Sequence, residues 1–211
     1  MAREGVPFIG MAALATVVLA VLQMPWPTAA AFAATAFCLY FFRDPERVVP
    51  HGPDLIVSPA DGKVIEVAEG EEDPYFGPSG PGRCLRISIF MNVFDCHVNR
   101  SPIAGRVEDM AYFPGRFISA NRPRAMAENE RCAMLVRDEE GRGVTVVQVA
   151  GLIARRIVCF AQVGDRLERG QRYGMIRFGS RLDLYLPASS RPQVSKGQRV
   201  SAGQSILARF V

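Results

Sequence analysis

The chain has 211 residues, a length that suits one hydrophobic core with a short additional segment and argues against a multi-domain protein. Lys and Arg number 25 and Asp and Glu 21, so the net charge is +4, which favours anionic surfaces but lacks the dense basic stripe of a nucleic-acid-binding protein. The chain has five cysteines, Cys38, Cys84, Cys96, Cys132 and Cys159. Their number is odd and they form no C-x-x-C pair, which argues against a disulfide framework or a zinc knuckle. They indicate buried thiols in a reducing compartment.

The first fifty residues are the most apolar part of the chain. Residues 6–24 and 28–42 carry no charge, and Pro25-Trp26-Pro27 separates them. The first stretch is long enough to cross a hydrocarbon core, and the second is marginal. Two prolines interrupt a helix and a tryptophan suits a membrane interface, so residues 1–47 are predicted to form a helical hairpin that anchors the chain.

Arginines flank this hairpin on both sides. Arg3 precedes it, and Arg43 and Arg47 follow it, so the positive-inside tendency predicts that both ends, and the domain at residues 48–211, are cytoplasmic. A secretory signal peptide is one alternative, because small residues at 29–31 and 33–34 resemble a cleavage site, but the apolar run resumes beyond them. A buried helix of a soluble protein is the other.

The remainder is predicted to be mainly β, because short β-branched runs alternate with Gly and Pro: residues 64–67, 85–90, 144–149, 157–160, 182–186 and 206–210. Residues 114–131 are polar and predicted to be loop or short helix. The pattern Gly-x-x-apolar-x-x-Gly-Gln at residues 164–171 recurs at 197–204, 33 positions later. This repeat predicts a pseudo-symmetric β domain of the barrel-sandwich or hammerhead sort.

Few side chains can act as an acid or a base near neutral pH, because His51 and His97 are the only histidines. His51 lies in a Pro/Gly-rich linker typical of a solvated loop. His97 follows an apolar strand within a polar cluster, where it is either a structural histidine or a general base. Asp61 precedes Gly62 in a turn, which turn chemistry alone explains, but a carboxylate there can also orient a histidine that serves Ser180.

Gly179-Ser180 is a dipeptide that a turn or bulge would usually explain. Backbone self-cleavage is the chemistry that requires it, because the serine hydroxyl attacks the preceding carbonyl and a glycine leaves that carbonyl unobstructed. A histidine would deprotonate the hydroxyl, and an aspartate would hold the histidine.

Six motifs in order resemble those of the short bacterial phosphatidylserine decarboxylases, over residues 42–211, and the hydrophobic leader also fits. They are residues 42–47 (FRDPER), 58–62 (SPADG), 97–102 (HVNRSP), 129–131 (NER), 148–157 (QVAG with ARRI) and 174–180. Any one of them is weak by itself, whereas the ordered set identifies the family.

This resemblance implies a proenzyme that cleaves itself by serinolysis into residues 1–179 and 180–211, which remain together as a heterodimer. Ser180 would become a pyruvoyl group, so neither a metal nor a free cofactor is expected. The family's pyruvoyl group forms a Schiff base with the amine of phosphatidylserine and accepts the electrons released with carbon dioxide, yielding phosphatidylethanolamine. Asp61 and His97 take the self-cleavage roles with Ser180.

Other implications concern the substrate. Some long relatives have a second histidine three residues before the one matched by His97, assigned to decarboxylation, and Phe94 stands there. The proton donor of that step is therefore not assigned. Arg122, Arg124 and Asn99 are predicted to contact the phosphate or carboxylate, with Arg124 at a place where relatives are expected to have lysine. The predicted partners are phosphatidylserine and the anionic surface of the inner cell membrane, with self-association into a homo-oligomer left open and no nucleic acid.

A membrane adaptor or carrier without enzymatic activity is the alternative from another class, since the anchor and the repeat fit it. Lys63 and Lys196 are the only lysines, and neither lies in the turn where a carrier's modified lysine belongs. A soluble pyruvoyl-dependent amino-acid decarboxylase is disfavoured by the hydrophobic leader.

Overall fold

The computed structural model describes residues 1–120, 125–151, 157–177 and 179–211. The chain divides into two compact units, Met1–Glu46 and Arg47–Val211. The first unit is helical, and the second is built mainly from antiparallel strands.

The first unit is a helical hairpin of α1 (Val6–Val21) and α2 (Pro25–Phe41). The hydroxyl oxygens of Thr16 and Thr35 lie 3.1 Å apart across the two helices, and the amide of Ala2 donates to the carbonyl of Phe42 at 2.9 Å. The predicted hairpin is therefore confirmed. Within the described part of the chain, Arg3–Val21 is the helix long and apolar enough to cross a membrane.

The two prolines lie inside α2, where the sequence predicted a break between helices. Pro25 is the first residue of α2 and Pro27 lies in its first turn. The amides of a first helical turn have no intrahelical acceptor, so prolines there cost the helix no hydrogen bond. The chain reverses at residues 22–24 instead, where Gln23 adopts a left-handed φ of 55°.

The second unit contains, within the described residues, three antiparallel sheets. The largest has the strand order β13-β2-β3-β11-β7-β6-β5-β9 and curls into a half-barrel, and the smaller ones have the orders β1-β14-β12 and β4-β10-β8. The mainly β prediction is confirmed. The strands are β1 Leu55–Val57, β2 Gly62–Glu72, β3 Arg83–Met91, β4 Val98–Arg100, β5 Gly105–Phe113, β6 Arg131–Arg137, β7 Gly143–Val149, β8 Ile157–Cys159, β9 Arg166–Leu167, β10 Arg172–Ile176, β11 Ser180–Pro187, β12 Arg191–Pro192, β13 Arg199–Val200 and β14 Ile206–Arg209.

The central strand β11 separates two apolar clusters. Leu182, Leu184 and Leu186 face the main core inside the curl, with Ile87, Ile89 and Val146 among its other members. Tyr185 faces the opposite side, where it packs with Cys84, Ala133, Val147 and Val149. This alternation is the period-2 pattern of a strand covered on both faces.

The Gly-Gln repeat forms two equivalent turns. Gly164 and Gly197 have φ of 98° and 99°, and Gly170 and Gly203 have φ of 78° and 71°, a left-handed region in which glycine meets no steric cost. The amide of Gly170 donates to the carbonyl of Ser101 at 2.8 Å, whereas that of Gly203 donates to the carbonyl of Ser58 at 2.7 Å.

The partner segments of these turns are themselves related. Residues 58–64 (SPADGKV) and 101–107 (SPIAGRV) are 43 positions apart. The amide of Val57 donates to Pro102, and the amide of Arg100 donates to Pro59, both at 2.9 Å. The fold thus has a pseudo-two-fold arrangement, of which sequence analysis had found only the second half.

Four of the six predicted strand segments lie within strands, and residues 157–160 and 206–210 each extend one residue beyond β8 and β14. The predicted loop or short helix contains the helix α3 (Ala125–Glu128). Of the strands that were not predicted, β5 and β6 are the longest. β5 carries Glu108 and Asp109 side by side, and its pairing with β6 shifts register between Val107 and Asp109. That bulge interrupts the strict alternation by which a strand is recognised in a sequence.

Candidate active site

Ser180 is the first residue of the central strand β11, and its main chain pairs with Met91 at the end of β3. Its side chain is fully buried, and its Oγ has no hydrogen-bond partner among the described residues. A buried hydroxyl without a partner is uncommon because its desolvation is not compensated. It is therefore available for chemistry.

His97 contacts Gly179, the residue that precedes Ser180. Its ring is buried, the Gly179 amide donates to Nε2 at 3.2 Å, and Nδ1 lies 2.9 Å from the carbonyl oxygen of Asp95. An amide N–H can only donate, so Nε2 holds a lone pair and Nδ1 carries the proton. This neutral tautomer is the one that a general base requires.

The carbonyl that faces Nδ1 belongs to a tight turn. The amide of Asp95 donates to the carbonyl of Asn92 at 3.1 Å, and the amide of Asn92 donates to Oδ2 of Asp95 at 2.9 Å. Sequence analysis missed this orienting group, because main-chain carbonyls have no residue type by which they can be recognised.

Gly151, after β7, lies against the carbonyl of Gly179. A Cβ built on Gly151 would be 1.9 Å from the oxygen of Gly179 and 2.9 Å from its carbon. A side chain at position 151 is therefore incompatible with this placement of the Gly179 carbonyl. Gly151 belonged to a recognised motif, but its contact with the candidate scissile bond was not predicted.

Asp61 lies at the same end of the large sheet, just before β2. Its carboxylate accepts two hydrogen bonds from Nη2 of Arg47, at 2.8 and 3.1 Å, and one from the amide of Ala202 at 2.7 Å. Lys63 and Arg181 pair with the same residue of β3, Phe90, from either side, so the start of β2 lies about two strand spacings from Ser180. The predicted role of Asp61 beside His97 stays a prediction.

The other predicted residues lie in different surroundings. The Asn99 side chain is fully buried, and its Oδ1 accepts a hydrogen bond from Nε2 of Gln148 at 2.8 Å. Its role in substrate binding stays untested. Arg122 and Arg124 lie outside the described residues. Phe94, which replaces a histidine of long relatives, is 62% exposed at the tip of the Asn92–Asp95 turn.

Comparisons with known proteins show the family to which the chain belongs. The family model described as phosphatidylserine decarboxylase matches residues 34–208. The chain is 49% identical over 211 residues to a phosphatidylserine decarboxylase proenzyme of Desulfotalea psychrophila, covering all of this chain and 97% of that one. It is 54% identical over 207 residues to a proenzyme of the same name from Nitratidesulfovibrio vulgaris, with 98% and 93% of the two chains covered.

A third relative, from Cupriavidus metallidurans, has the same printed name and is 49% identical over 209 residues, with 99% and 94% covered. The match extends through the helical hairpin as well as the β unit, because the alignments cover nearly the whole of each chain. The chain belongs to the phosphatidylserine decarboxylase family of carboxy-lyases.

Proposed function

We propose that this chain decarboxylates phosphatidylserine to phosphatidylethanolamine and carbon dioxide, with a pyruvoyl group that it makes from Ser180 by cutting itself after Gly179. The observation that supports this most is the junction itself. The Ser180 hydroxyl is buried and has no partner within the described part of the chain, and the amide of the preceding residue, Gly179, donates to His97 Nε2 at 3.2 Å. Family membership supports the substrate and the reaction.

Self-cleavage begins with His97 as the general base. The Gly179 amide must first release Nε2, which then takes the proton of the Ser180 hydroxyl as Oγ attacks the carbonyl carbon of Gly179. The C–N bond then breaks, its nitrogen takes a proton from His97, and an ester joins Gly179 to Oγ of residue 180. Because Gly151 has no side chain, the carbonyl oxygen of Gly179 can occupy its position at the start of this attack.

The ester is then resolved by elimination. A base removes the α-proton of residue 180, the Cβ–Oγ bond breaks, and the carboxylate of Gly179 leaves as the end of the large chain. The dehydroalanine at residue 180 adds one water and loses one ammonia. The products are the chains 1–179 and 180–211, the second of which starts with the pyruvoyl group.

That group supplies a carbonyl that captures the substrate amine and withdraws the electrons released as carbon dioxide departs. The site of residue 180 fits it, because the position is buried and its side-chain oxygen makes no hydrogen bond to the described residues. In this proposal Asp61 adds a negative charge at the same end of the sheet. Arg122, Arg124 and Asn99 take the anionic groups of the substrate.

The helical hairpin provides the location. In this proposal the enzyme lies at the inner membrane with its β unit in the cytoplasm, which the apolar Arg3–Val21 segment and the arginines at both ends of the hairpin support. Protease protection in spheroplasts tests this orientation. Cleavage of the β unit from the outside would contradict it.

The decisive experiment compares wild type with Ser180→Ala. Intact-mass measurement of purified wild type should show two chains, whose lengths place the break after Gly179, whereas Ser180→Ala should remain at 23.1 kDa. Release of labelled carbon dioxide from phosphatidylserine in detergent should follow the cut form only. An active uncut chain would refute the proposal. An uncut and inactive wild type would favour the alternative of a membrane adaptor or carrier without enzymatic activity.

A further inference from the structure

A buried ion pair lies on β11 immediately after the proposed cleavage point. Nε of Arg181 donates to Oδ1 of Asp183 at 2.7 Å, and Nη2 of Arg181 donates to Oγ of Ser88 at 2.9 Å. The Arg181 and Asp183 side chains are 3% and 0% exposed. We propose that this cluster anchors the new end of the small chain, so that residue 180 keeps its position after the Gly179-Ser180 bond is broken. The inference rests on the proposed function.

The pairing of β11 shows why such an anchor is needed. Ser180 pairs with Met91 on one side only, whereas Arg181 is the first residue paired on both sides, with Phe90 and Val149. Before cleavage, residue 180 is held by covalent bonds to both of its neighbours. After cleavage it is a chain terminus, and termini that are not held in place by other contacts fray.

The anchor does not take part in the chemistry itself. Side chains alternate along a strand, so Arg181 and Asp183 face away from Ser180, Leu182 and the main core. Arg181 therefore cannot reach the reacting atoms and is a positioning residue. Its guanidinium donates two directed hydrogen bonds, to Asp183 and Ser88. These bonds fix the position of the main chain next to residue 180 within the sheet.

The surrounding charges favour anchoring over ligand binding. Arg86 donates to Glu66 at 3.0 Å, and Glu66 lies 3.8 Å from Arg181. Burial by itself lowers the pKa of Arg86, but the nearby carboxylates, Glu66 first, outweigh it and raise that pKa. With Asp183 and Glu71 also present, carboxylates outnumber the two guanidiniums, so an anionic ligand would meet repulsion here.

The test uses the full chain with Ser88→Ala and Arg181→Lys, because each weakens the anchor without removing the buried cation. Ser190→Ala is the matched control, since Ser190 is also buried and its Oγ has no hydrogen-bond partner in the part of the chain that the structure describes. Each variant is made twice, with Ser180 intact and with Ser180→Ala to keep it uncut. Hydrogen exchange of residues 181–183, extent of self-cleavage, kcat and KM are measured.

We expect both anchor variants to cut themselves fully. In the cut form their amides at residues 181–183 should exchange several-fold faster than wild type, while the uncut forms match the uncut wild type. The kcat should fall about tenfold or more with KM unchanged, because displacement of a reacting group by a fraction of an ångström is costly. The control should match wild type throughout.

Equal acceleration of exchange in cut and uncut forms would show a purely structural role and overturn the inference, as would a normal kcat with faster exchange. If Arg181→Lys fails to fold, Ser88→Ala, which removes a single hydroxyl, decides the question. An uncut wild type would instead refute the proposed function, so the two failures are distinguishable.

Discussion

Substitution of Gly151 by alanine should nearly abolish self-cleavage. The new Cβ would lie 1.9 Å from the oxygen of Gly179, whereas carbon and oxygen atoms in contact are normally separated by about 3.3 Å or more. The Gly179 carbonyl must therefore move by about 1.4 Å or the β7 end must shift. A displacement of about 1 Å in a reacting group can lower a rate by about 100-fold. We expect at least that reduction, which corresponds to about 2.7 kcal/mol in the barrier.

The assay is a time course of cleavage on denaturing gels after synthesis in a cell-free system. Gly143→Ala is the control at the other end of the same strand, because its Cβ would meet Arg137 and Leu135 only at 3.4 Å, an ordinary contact. Neither glycine has a left-handed φ, so alanine is compatible with both backbones. Thermal unfolding should show both variants folded. Cleavage of folded Gly151→Ala within a few-fold of the wild-type rate would refute the reasoning.

Three shorter predictions concern single side chains. His97→Gln should slow self-cleavage by about 10² to 10⁴-fold on gels, because a glutamine side chain cannot accept the serine proton as a base. Asn99→Ala should lower the free energy of unfolding by about 1–3 kcal/mol in urea titrations, because it leaves the buried amide of Gln148 without its acceptor. Burial raises the pKa of the Cys84 thiol to about 11. Its proton is thus lost more readily from the unfolded chain, and stability should fall between pH 9 and about 11, less so in Cys84→Ala.

The elements that sequence analysis predicted are those with a strong local signal. Uncharged stretches predicted the two helices, and β-branched runs predicted six strands, because hydrophobic periodicity is local. The turn repeat was found from its glycines. Its partner repeat, SPADGKV and SPIAGRV, was equally visible in the sequence and was overlooked, since only the Gly-Gln pattern was compared.

The site was predictable only in its side chains. The Gly179 amide contacts His97 and the role that the motifs imply for them with Ser180 stays a prediction, whereas the Asp95 carbonyl and the Gly151 backbone contribute main-chain atoms. Such contacts depend on tertiary packing and leave no distinctive residue type. The ion pair of Asp61 with Arg47 was also not predicted, because the sequence of a turn does not show which basic side chain will pair with its carboxylate.

Asp61 and Arg47 allow a test in which the two substitutions have opposite effects. In the pseudo-symmetric turn Ala104 occupies the place of Asp61, so the turn itself does not require a carboxylate. Asp61 instead forms a close ion pair with Arg47. When His97 takes the serine proton a positive charge develops next to Ser180, and the start of β2, which Asp61 immediately precedes, lies about two strand spacings, or about 10 Å, from Ser180. A carboxylate at that distance stabilises that charge by about 1.7 kcal/mol at an effective dielectric constant of about 20.

Asp61→Asn should therefore slow self-cleavage by up to about 20-fold at low salt, because it removes the favourable charge and leaves that of Arg47 unopposed. Arg47→Gln should not slow cleavage, since it leaves the negative charge unopposed, and the double variant should lie near wild type. Added salt should shrink all three differences. Gel time courses at two salt concentrations measure them, with unfolding in urea as the check on folding. If both single variants slow cleavage equally, Asp61 serves only to hold Arg47, and its place in the catalytic set is lost.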